Sequence, residues 1–196
     1  MKSAFVICGY PRSRTMWLSR FLTIPGTSYC DHEAMEFAGS PQEFWENAEL
    51  HAPGEVIYGD SDSASIYVLR AILAEQPLTR VVWVNRNIVE VAKSMEAAGM
   101  PLAEKVLNDL ITMHYLYQDC FDMVVDFEAL NCGAICREVF EFCLPGVAWD
   151  WGRWGMMASQ KICYSKENPM PAKSCAKFLP WVEREIAALR EERTIL

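Results

Sequence analysis

The sequence predicts an α/β protein in which a central parallel sheet of four or five strands lies between two layers of helices. Short apolar runs rich in β-branched residues alternate with segments of helical period, which is the pattern of β-α-β units. The chain has 196 residues, of which 52% are hydrophobic and 22% charged, so it can bury a core and lacks the composition of disorder. We therefore expect one domain over residues 1–196.

The strands are predicted from short apolar runs, of which Ala4–Cys8 is the most continuous. The other predicted strands are Thr27–Cys30, Glu55–Tyr58, Arg80–Val84 and Met123–Phe127. Helical periodicity predicts helices at Thr15–Leu22, Ser63–Ala74, Ile88–Ala98, Ala103–Tyr117, Ile135–Phe142 and Trp181–Arg193.

Two of these helices have clear start signals. Asn87 and Glu90 form a capping pair at the start of Ile88–Ala98. Pro180 is a typical first-turn residue for the last helix, which we expect to close the domain. Residues 146–175 carry tryptophans, glycines and prolines without a clean period, so they are predicted to form an irregular surface excursion.

Charge and composition exclude several classes of protein. With 18 basic and 26 acidic residues, the net charge of −8 repels nucleic acid, so an anionic ligand needs a local basic site. The apolar runs are far shorter than the roughly 20 residues of a membrane helix, and the start lacks a signal-peptide core. We expect a cytoplasmic monomer or homodimer with neither a nucleic-acid nor a membrane partner. The eight cysteines form no C-x-x-C pair, which favours reduced thiols.

The loop Gly9–Trp17 follows the first strand and opens a helix, which is the position where backbone amides receive phosphate groups. It is not a Walker A loop. That motif requires Gly, Lys and Ser or Thr at positions 14 to 16, where this chain has Arg14, Thr15 and Met16. An ordinary ATPase or kinase is therefore disfavoured.

The segment resembles the 5′-phosphosulfate loop of the sulfotransferases, Pro-[Lys/Arg]-Ser-Gly-Thr-Thr-Trp. The matching residues are Pro11, Arg12, Ser13, Thr15 and Trp17, and the departures are Arg14 for Gly and Met16 for Thr. A second motif of that family is an Arg at a strand end followed eight residues later by a Ser. Arg86 and Ser94 match it, and Val124–Leu130 is similar to the strand and turn that come next in the family. The resemblance spans roughly residues 4 to 145.

This resemblance implies a P-loop-like fold and 3′-phosphoadenosine 5′-phosphosulfate (PAPS) as sulfuryl donor, with a small hydroxyl or amine acceptor of unknown identity and no metal. Arg12 would stabilise the leaving phosphate, and Trp17 would stack on adenine or pack in the core. The late loop bearing Gly and Lys has no clear copy, with Lys161, Lys166 and Lys173 as loose substitutes. The residues implied to bind the donor are Arg12, Ser13, Arg14, Thr15, Met16, Trp17, Arg86 and Ser94.

A base is expected after the second predicted strand, where Asp31, His32 and Glu33 are consecutive. Glu33 and His32 are the candidate catalytic residues, and a surface-loop role is the alternative. Asp60 follows the third predicted strand and would touch the acceptor or help to cap the next helix. The competing functions are a non-catalytic nucleotide-binding protein of the same fold and a P-loop nucleotide kinase.

Overall fold

In the computed structural model, the described residues are 3–32, 34–51, 54, 57–100, 103–160, 162 and 176–194. Within them, five strands form one sheet in the order β2-β3-β1-β4-β5, and every paired neighbour is parallel. The strands are β1 (Ser3–Gly9), β2 (Ser28–Asp31), β3 (Ile57–Ser61), β4 (Arg80–Asn85) and β5 (Met123–Asp126). The predicted α/β fold with a parallel central sheet is confirmed.

The described α-helices cover both faces of this sheet. They are α1 (Thr15–Leu22), α2 (Pro41–His51), α3 (Leu69–Glu75), α4 (Ile88–Ala97), α5 (Glu104–Tyr117), α6 (Gly133–Cys143), α7 (Trp151–Ala158) and α8 (Phe178–Thr194). Short 3₁₀ turns lie at Ala34–Phe37, Ala64–Val68, Gln118–Cys120 and Phe127–Asn131. None of the helices in this part of the chain has the length and apolar content needed to cross a membrane.

The alternation of side chains along β1 produces the three layers. Ala4, Val6 and Cys8 belong to one core with residues of α2, α3, α4, α5 and α8, whereas Phe5 and Ile7 belong to a second core with α1, α6 and α7. Successive side chains of a strand point to opposite faces, so a wholly apolar strand needs a helical layer on each side.

The third strand corrects the prediction of Glu55–Tyr58, because β3 runs to Ser61. The predicted turn residues Gly59 and Asp60 lie inside the strand and are paired with both β1 and β2. Gly59 is required there: a Cβ atom at this position would lie 2.2 Å from the Phe5 ring. The polar run looks like a turn in sequence, but this close packing and pairing on both sides make it a central strand. Residues 55 and 56 lie outside the described part.

The helix predicted at Ser63–Ala74 begins as the 3₁₀ turn Ala64–Val68 and continues as α3. Helix α2 was not predicted, although its start has a recognisable signal. The Ser40 hydroxyl accepts the Glu43 backbone N–H at 3.1 Å, and the Glu43 carboxylate accepts the Gly39 N–H at 2.8 Å. With Pro41 as its first residue, this is a capping arrangement typical of helix starts.

The predicted irregular excursion contains α7, which the prediction missed. Asp150 caps it, because its Oδ1 atom accepts the N–H groups of Gly152 and Arg153 at 2.8 and 3.1 Å. The Arg153 guanidinium donates to the carbonyl groups of Arg20, Phe21 and Thr23 at the end of α1. Tertiary contacts thus hold a helix whose two glycines disfavour it locally. Residues 161 and 163–175, with Lys161, Lys166 and Lys173, lie outside the described part.

The two start signals that the sequence predicts for α4 and α8 are present in the structure. The Asn87 side chain caps α4 by accepting the N–H groups of Val89 and Glu90. Helix α8 begins at Phe178, three residues before its predicted start, with Pro180 in its first turn.

Candidate functional site

A cavity of about 700 Å³ lies at the carboxyl edge of the sheet, where open α/β sheets bind ligands. Residues that follow every one of the five strands line it. They are Arg12 after β1, His32 after β2, Ser63 after β3, Arg86 after β4 and Phe127 after β5. The volume is within the range of small-molecule sites, about 300–1,000 Å³.

The charge of the cavity is opposite to that of the whole chain. Arg12, Arg14 and Arg86 line it, and the described lining residues include no Asp or Glu. Burial lowers the pKa of the Arg86 guanidinium, and the charges of Arg12 and Arg14 act in the same direction, while Glu128 opposes them. An anion bound among these three cations would relieve their repulsion, which makes the cavity a candidate anion site.

The two sequence motifs meet in this cavity. Arg12 Nε donates to Ser94 Oγ at 3.2 Å, across 82 residues of sequence. Arg86 Nη1 donates to the Arg12 carbonyl oxygen, across 74 residues. The structure therefore brings together Arg12, Arg86 and Ser94, which the sequence placed in separate segments.

The loop after β1 has an unusual backbone. Arg12 and Arg14 have φ angles of 68° and 64°, in the left-handed region that favours glycine. Position 14 carries Gly in the motif that this loop resembles, so the departure is one of side chain and not of backbone shape. Left-handed backbone costs about 1–2 kcal/mol for a residue with a Cβ atom.

The Arg14 side chain makes contacts that a glycine could not make. Its Nη1 donates to the Leu130 carbonyl at 2.9 Å, and its Nη2 donates to Asn131 Oδ1. Its guanidinium carbon lies 5.2 Å from the centroid of the Phe127 ring. Arg14 thus ties the loop after β1 to the turn after β5.

Several hydrogen-bond donors in and beside the loop after β1 are candidates for contact with a bound anion. No side chain caps α1, so the N–H groups of Thr15, Met16 and Trp17, all cavity-lining residues, lack intrahelical acceptors. Among the described residues, the buried Arg86 Nε atom has no hydrogen-bond partner, and a phosphate oxygen in the cavity would satisfy it. The Ser13 hydroxyl also lacks a partner among them, but Ser13 is fully buried and does not line the cavity.

Trp17 lies mainly in the core. It is 4% exposed, its ring stacks on Phe21 with centroids 4.8 Å apart, and its Nε1 donates to the Met157 carbonyl at 2.8 Å. It also contributes to the cavity lining. The core packing that the sequence left open is present, and stacking against adenine stays a prediction.

His32 is oriented by strand β3. Its Nδ1 atom lies 2.6 Å from the Ser61 carbonyl oxygen, which can only accept, so Nδ1 carries the hydrogen. In the neutral ring, Nε2 is then the basic nitrogen. Asp31 accepts the His32 backbone N–H and pairs with His51 at 2.9 Å. Glu33, the other candidate base, lies outside the described residues.

Asp60 does not line the cavity. It is 1% exposed, and its two oxygens accept the Ala34 N–H at 3.2 Å and the Ser65 hydroxyl at 2.8 Å. Burial raises the pKa of its carboxyl group well above the ordinary value, with the nearby Asp62 acting in the same direction. No group of three His, Cys, Asp or Glu side chains among the described residues could hold a metal ion.

Sequence reasoning assigned no binding role to Phe127 or Asn131, which also line the cavity. The signal for Phe127 was its position as the last residue of a predicted strand, at the sheet edge where the other site residues lie. In the tryptophan-rich segment, Trp154 lines the cavity, while Trp149 packs edge-on against Phe21 in the core.

Comparison with known proteins places the fold. No protein-family model matches the chain, and no curated protein matches it significantly in sequence. Among solved structures, it is similar to mouse sulfotransferase SULT7A1 in complex with PAP, with a TM-score of 0.52 and 12% identity. The match covers 97% of this chain and 83% of that one. The chain has the fold of the sulfotransferases.

Proposed function

We propose that the chain is a sulfotransferase that takes PAPS as donor and a hydroxyl or amine group as acceptor. The observation that carries this proposal is the contact of the two donor-binding motifs. Arg12 bonds to Ser94, and Arg86 bonds to the backbone of Arg12, inside one cavity. Two segments that resemble separate parts of one donor site therefore lie side by side, as the binding of a single donor requires.

The cavity suits an anionic nucleotide with charge at two positions. The loop after β1, with its uncapped helix start, would hold the 5′-phosphosulfate. Arg86 and Ser94 would hold the 3′-phosphate. Hydrogen bonds from guanidinium groups to phosphate are charge-assisted and stronger than neutral ones, so a local cationic site can hold this ligand in an acidic protein.

When bound, PAPS supplies the sulfuryl group that is transferred. A bond forms between the acceptor oxygen or nitrogen and sulfur, and the bond between sulfur and the bridging phosphate oxygen breaks. Arg12 stabilises the negative charge that develops on that oxygen. A guanidinium keeps its protons, so Arg12 acts by its charge and not as a general acid.

The acceptor must also lose a proton. His32 Nε2 would take it, because the Ser61 carbonyl holds the hydrogen on Nδ1 and His32 lines the same cavity as Arg12. Glu33, the next residue, is the second candidate base.

A ligand panel tests the donor. Thermal unfolding is measured with adenosine 3′,5′-bisphosphate, ADP, ATP and GTP, each with and without magnesium. The largest rise in Tm is expected for the 3′,5′-bisphosphate without metal, since binding to the native state raises stability. Preference for ATP or GTP with magnesium would support the nucleotide kinase instead.

Transfer of ³⁵S from labelled PAPS to a library of alcohols, phenols and amines then tests the reaction. Labelled product is expected from the wild type. Tight binding of the bisphosphate with no labelled product from any acceptor class would favour the non-catalytic nucleotide-binding protein.

A further inference from the structure

Asp62 directly follows the residue that orients His32. The Ser61 carbonyl accepts the His32 Nδ1 hydrogen at 2.6 Å, and the next N–H, that of Asp62, donates to the Ile7 carbonyl at 3.0 Å. Asp62 is therefore fixed to β1 on one side and to the acceptor of the His32 hydrogen on the other. Both anchors are backbone atoms of central strands, so the position is rigid.

The Asp62 carboxyl group is buried with one oxygen unsatisfied. The residue is 3% exposed, and Oδ1 accepts the Ala64 N–H at 3.0 Å. Oδ2 has no hydrogen-bond partner among the described residues. A buried carboxylate oxygen without a donor is costly unless a positive charge lies nearby.

The nearby group that can supply this charge is His32. Burial raises the pKa of the Asp62 carboxyl group, and the charge of His32 is the largest of the influences that lower it. The N–H groups of Ala64 and Ser63 and the Ser63 hydroxyl act in the same direction with smaller effect. The imidazole ring and this carboxyl group are therefore electrostatically coupled.

The other titratable groups around His32 differ from Asp62 in their surroundings. Burial raises the pKa of the Asp60 carboxyl group on β3 well above its ordinary value, which disfavours its charged form. Asp31 on β2 has partners on both of its oxygens, the His32 backbone N–H and the His51 ring. Burial raises the pKa of the Cys8 and Cys30 thiols well above the ordinary value, so both are neutral. Arg12, which lines the cavity with His32, is a cation.

We propose that Asp62 is a positioning residue that acts through His32, by balancing the charge that the imidazole gains when it takes the acceptor proton. This inference rests on the proposed function. The proton moves from the acceptor to Nε2, the other hydrogen stays on Nδ1 and continues to donate to the Ser61 carbonyl oxygen, and Asp62 remains ionised throughout. Asp62 thereby makes His32 a stronger base without touching the acceptor.

The first test is independent of turnover. The ring signals of the three histidines are titrated by NMR in the wild type, Asp62→Asn and Asp60→Asn, and His32 is assigned by its loss in His32→Asn. Asp62→Asn should lower the His32 midpoint by about 1 pH unit, the scale of one nearby charge. Asp60→Asn is the matched control, because it replaces a buried carboxyl group whose raised pKa disfavours the charged form, and it should leave the midpoint within about 0.2 units. Equal midpoints in wild type and Asp62→Asn, or an equal shift in both variants, overturn the proposal.

The second test uses transfer kinetics. Asp62→Asn should move the acidic limb of the kcat profile to lower pH by the same amount as the NMR midpoint. It should also lower kcat on the high-pH plateau by about tenfold, with KM for the acceptor and affinity for the bisphosphate unchanged. A loss of nucleotide affinity equal to the loss of kcat indicates a structural role and overturns the proposal.

The two failures are distinguishable. If wild-type protein transfers no sulfuryl group although the His32 midpoint shifts as expected, the proposed function fails and the coupling of the two residues stands. If Asp62→Asn does not fold, the reciprocal measurement replaces it: the Asp62 carboxyl ¹³C signal should titrate at higher pH in His32→Gln than in the wild type. An unchanged Asp62 titration in that variant overturns the proposal.

Discussion

The guanidinium carbon of Arg86 lies 4.0 Å from the centroid of the Phe127 ring. The same guanidinium donates to the Arg12 carbonyl, so Arg86 is held between an aromatic surface and the backbone of the loop after β1. A cation over an aromatic face is stabilised by about 0.5–2 kcal/mol, depending on its exposure. Arg86 therefore has a fixed orientation before any ligand binds.

The first prediction concerns this residue. Arg86→Ala should weaken the binding of adenosine 3′,5′-bisphosphate by about 2–3 kcal/mol more than the binding of AMP, because only the bisphosphate has the 3′-phosphate. Isothermal titration calorimetry measures both affinities. Lys93→Ala is the control, because Lys93 pairs with Glu90 on the exposed side of α4, and its replacement should leave both affinities unchanged. Equal losses for the two nucleotides would contradict the assignment.

The second prediction separates rate from stability at Arg12. Arg12→Ala should reduce sulfuryl transfer by about 10²–10³, the usual effect of removing one preorganised charge. The Tm without ligand should stay nearly unchanged, because Arg12 lies in a loop that lines the cavity and belongs to neither hydrophobic core. Turnover and thermal unfolding are measured on the same preparation. Near-normal turnover would move the catalytic role to Arg14.

The third prediction identifies the base. His32→Asn and Glu33→Gln are each compared with the wild type. The variant that lacks the base should transfer the sulfuryl group at least about 10² times more slowly, while its donor affinity stays within a few-fold of the wild type. His51→Asn is the matched control, because His51 is about half exposed and pairs with Asp31 outside the cavity. Normal turnover in both variants would mean that the acidity of the acceptor suffices.

The fourth prediction tests the left-handed backbone at position 14. Arg14→Ala and Arg14→Gly both remove the bonds to Leu130 and Asn131, so they differ only in the Cβ atom. With φ at 64°, the glycine variant should be more stable by about 1 kcal/mol, the reverse of the usual preference for Ala. Urea unfolding measures the difference. A more stable alanine variant would show that the loop does not hold this conformation.

The fifth prediction concerns pH and Asp60. The pKa of this carboxyl group is raised in the folded state, so its contribution to stability is full below the unfolded value of about 4 and is lost as pH rises through the folded pKa. Asp60→Asn keeps partners for Ala34 and Ser65 and removes this loss. Its Tm should exceed that of the wild type by about 3 °C at pH 7.5, equivalent to about 1 kcal/mol, and the gap should close towards pH 4. A gap independent of pH would contradict the raised pKa.

The fold was predictable where burial alone decides the structure. β1 and β4 are continuous apolar runs and lie at the centre of the sheet, within one or two residues of their predicted ends. β3 could not be placed from local pattern, because Gly59 packs against Phe5 and the Asp60 carboxyl group accepts the Ala34 N–H, and both of these partners are distant in sequence. Helix α7 depends in the same way on Arg153 contacting the end of α1.

The site was predictable where motif residues follow strand ends. Arg12, His32 and Arg86 are at such positions and line one cavity. The role of Arg14 in joining the loop to Leu130 could not be predicted, because it depends on a turn 116 residues away. The position of the hydrogen on His32 Nδ1 could not be predicted either, because a backbone carbonyl and not a side chain fixes it.

Because residues that follow each of the five strands line the cavity, its shape depends on the pairing of both edge strands. Fraying of β2 would release His32, and fraying of β5 would release Phe127 and the ring beneath Arg86. A ligand that contacts both sides would oppose such opening and slow amide hydrogen exchange in the two outermost strands at once. Ligand affinity and the cooperativity of the whole sheet are thus linked properties of this protein.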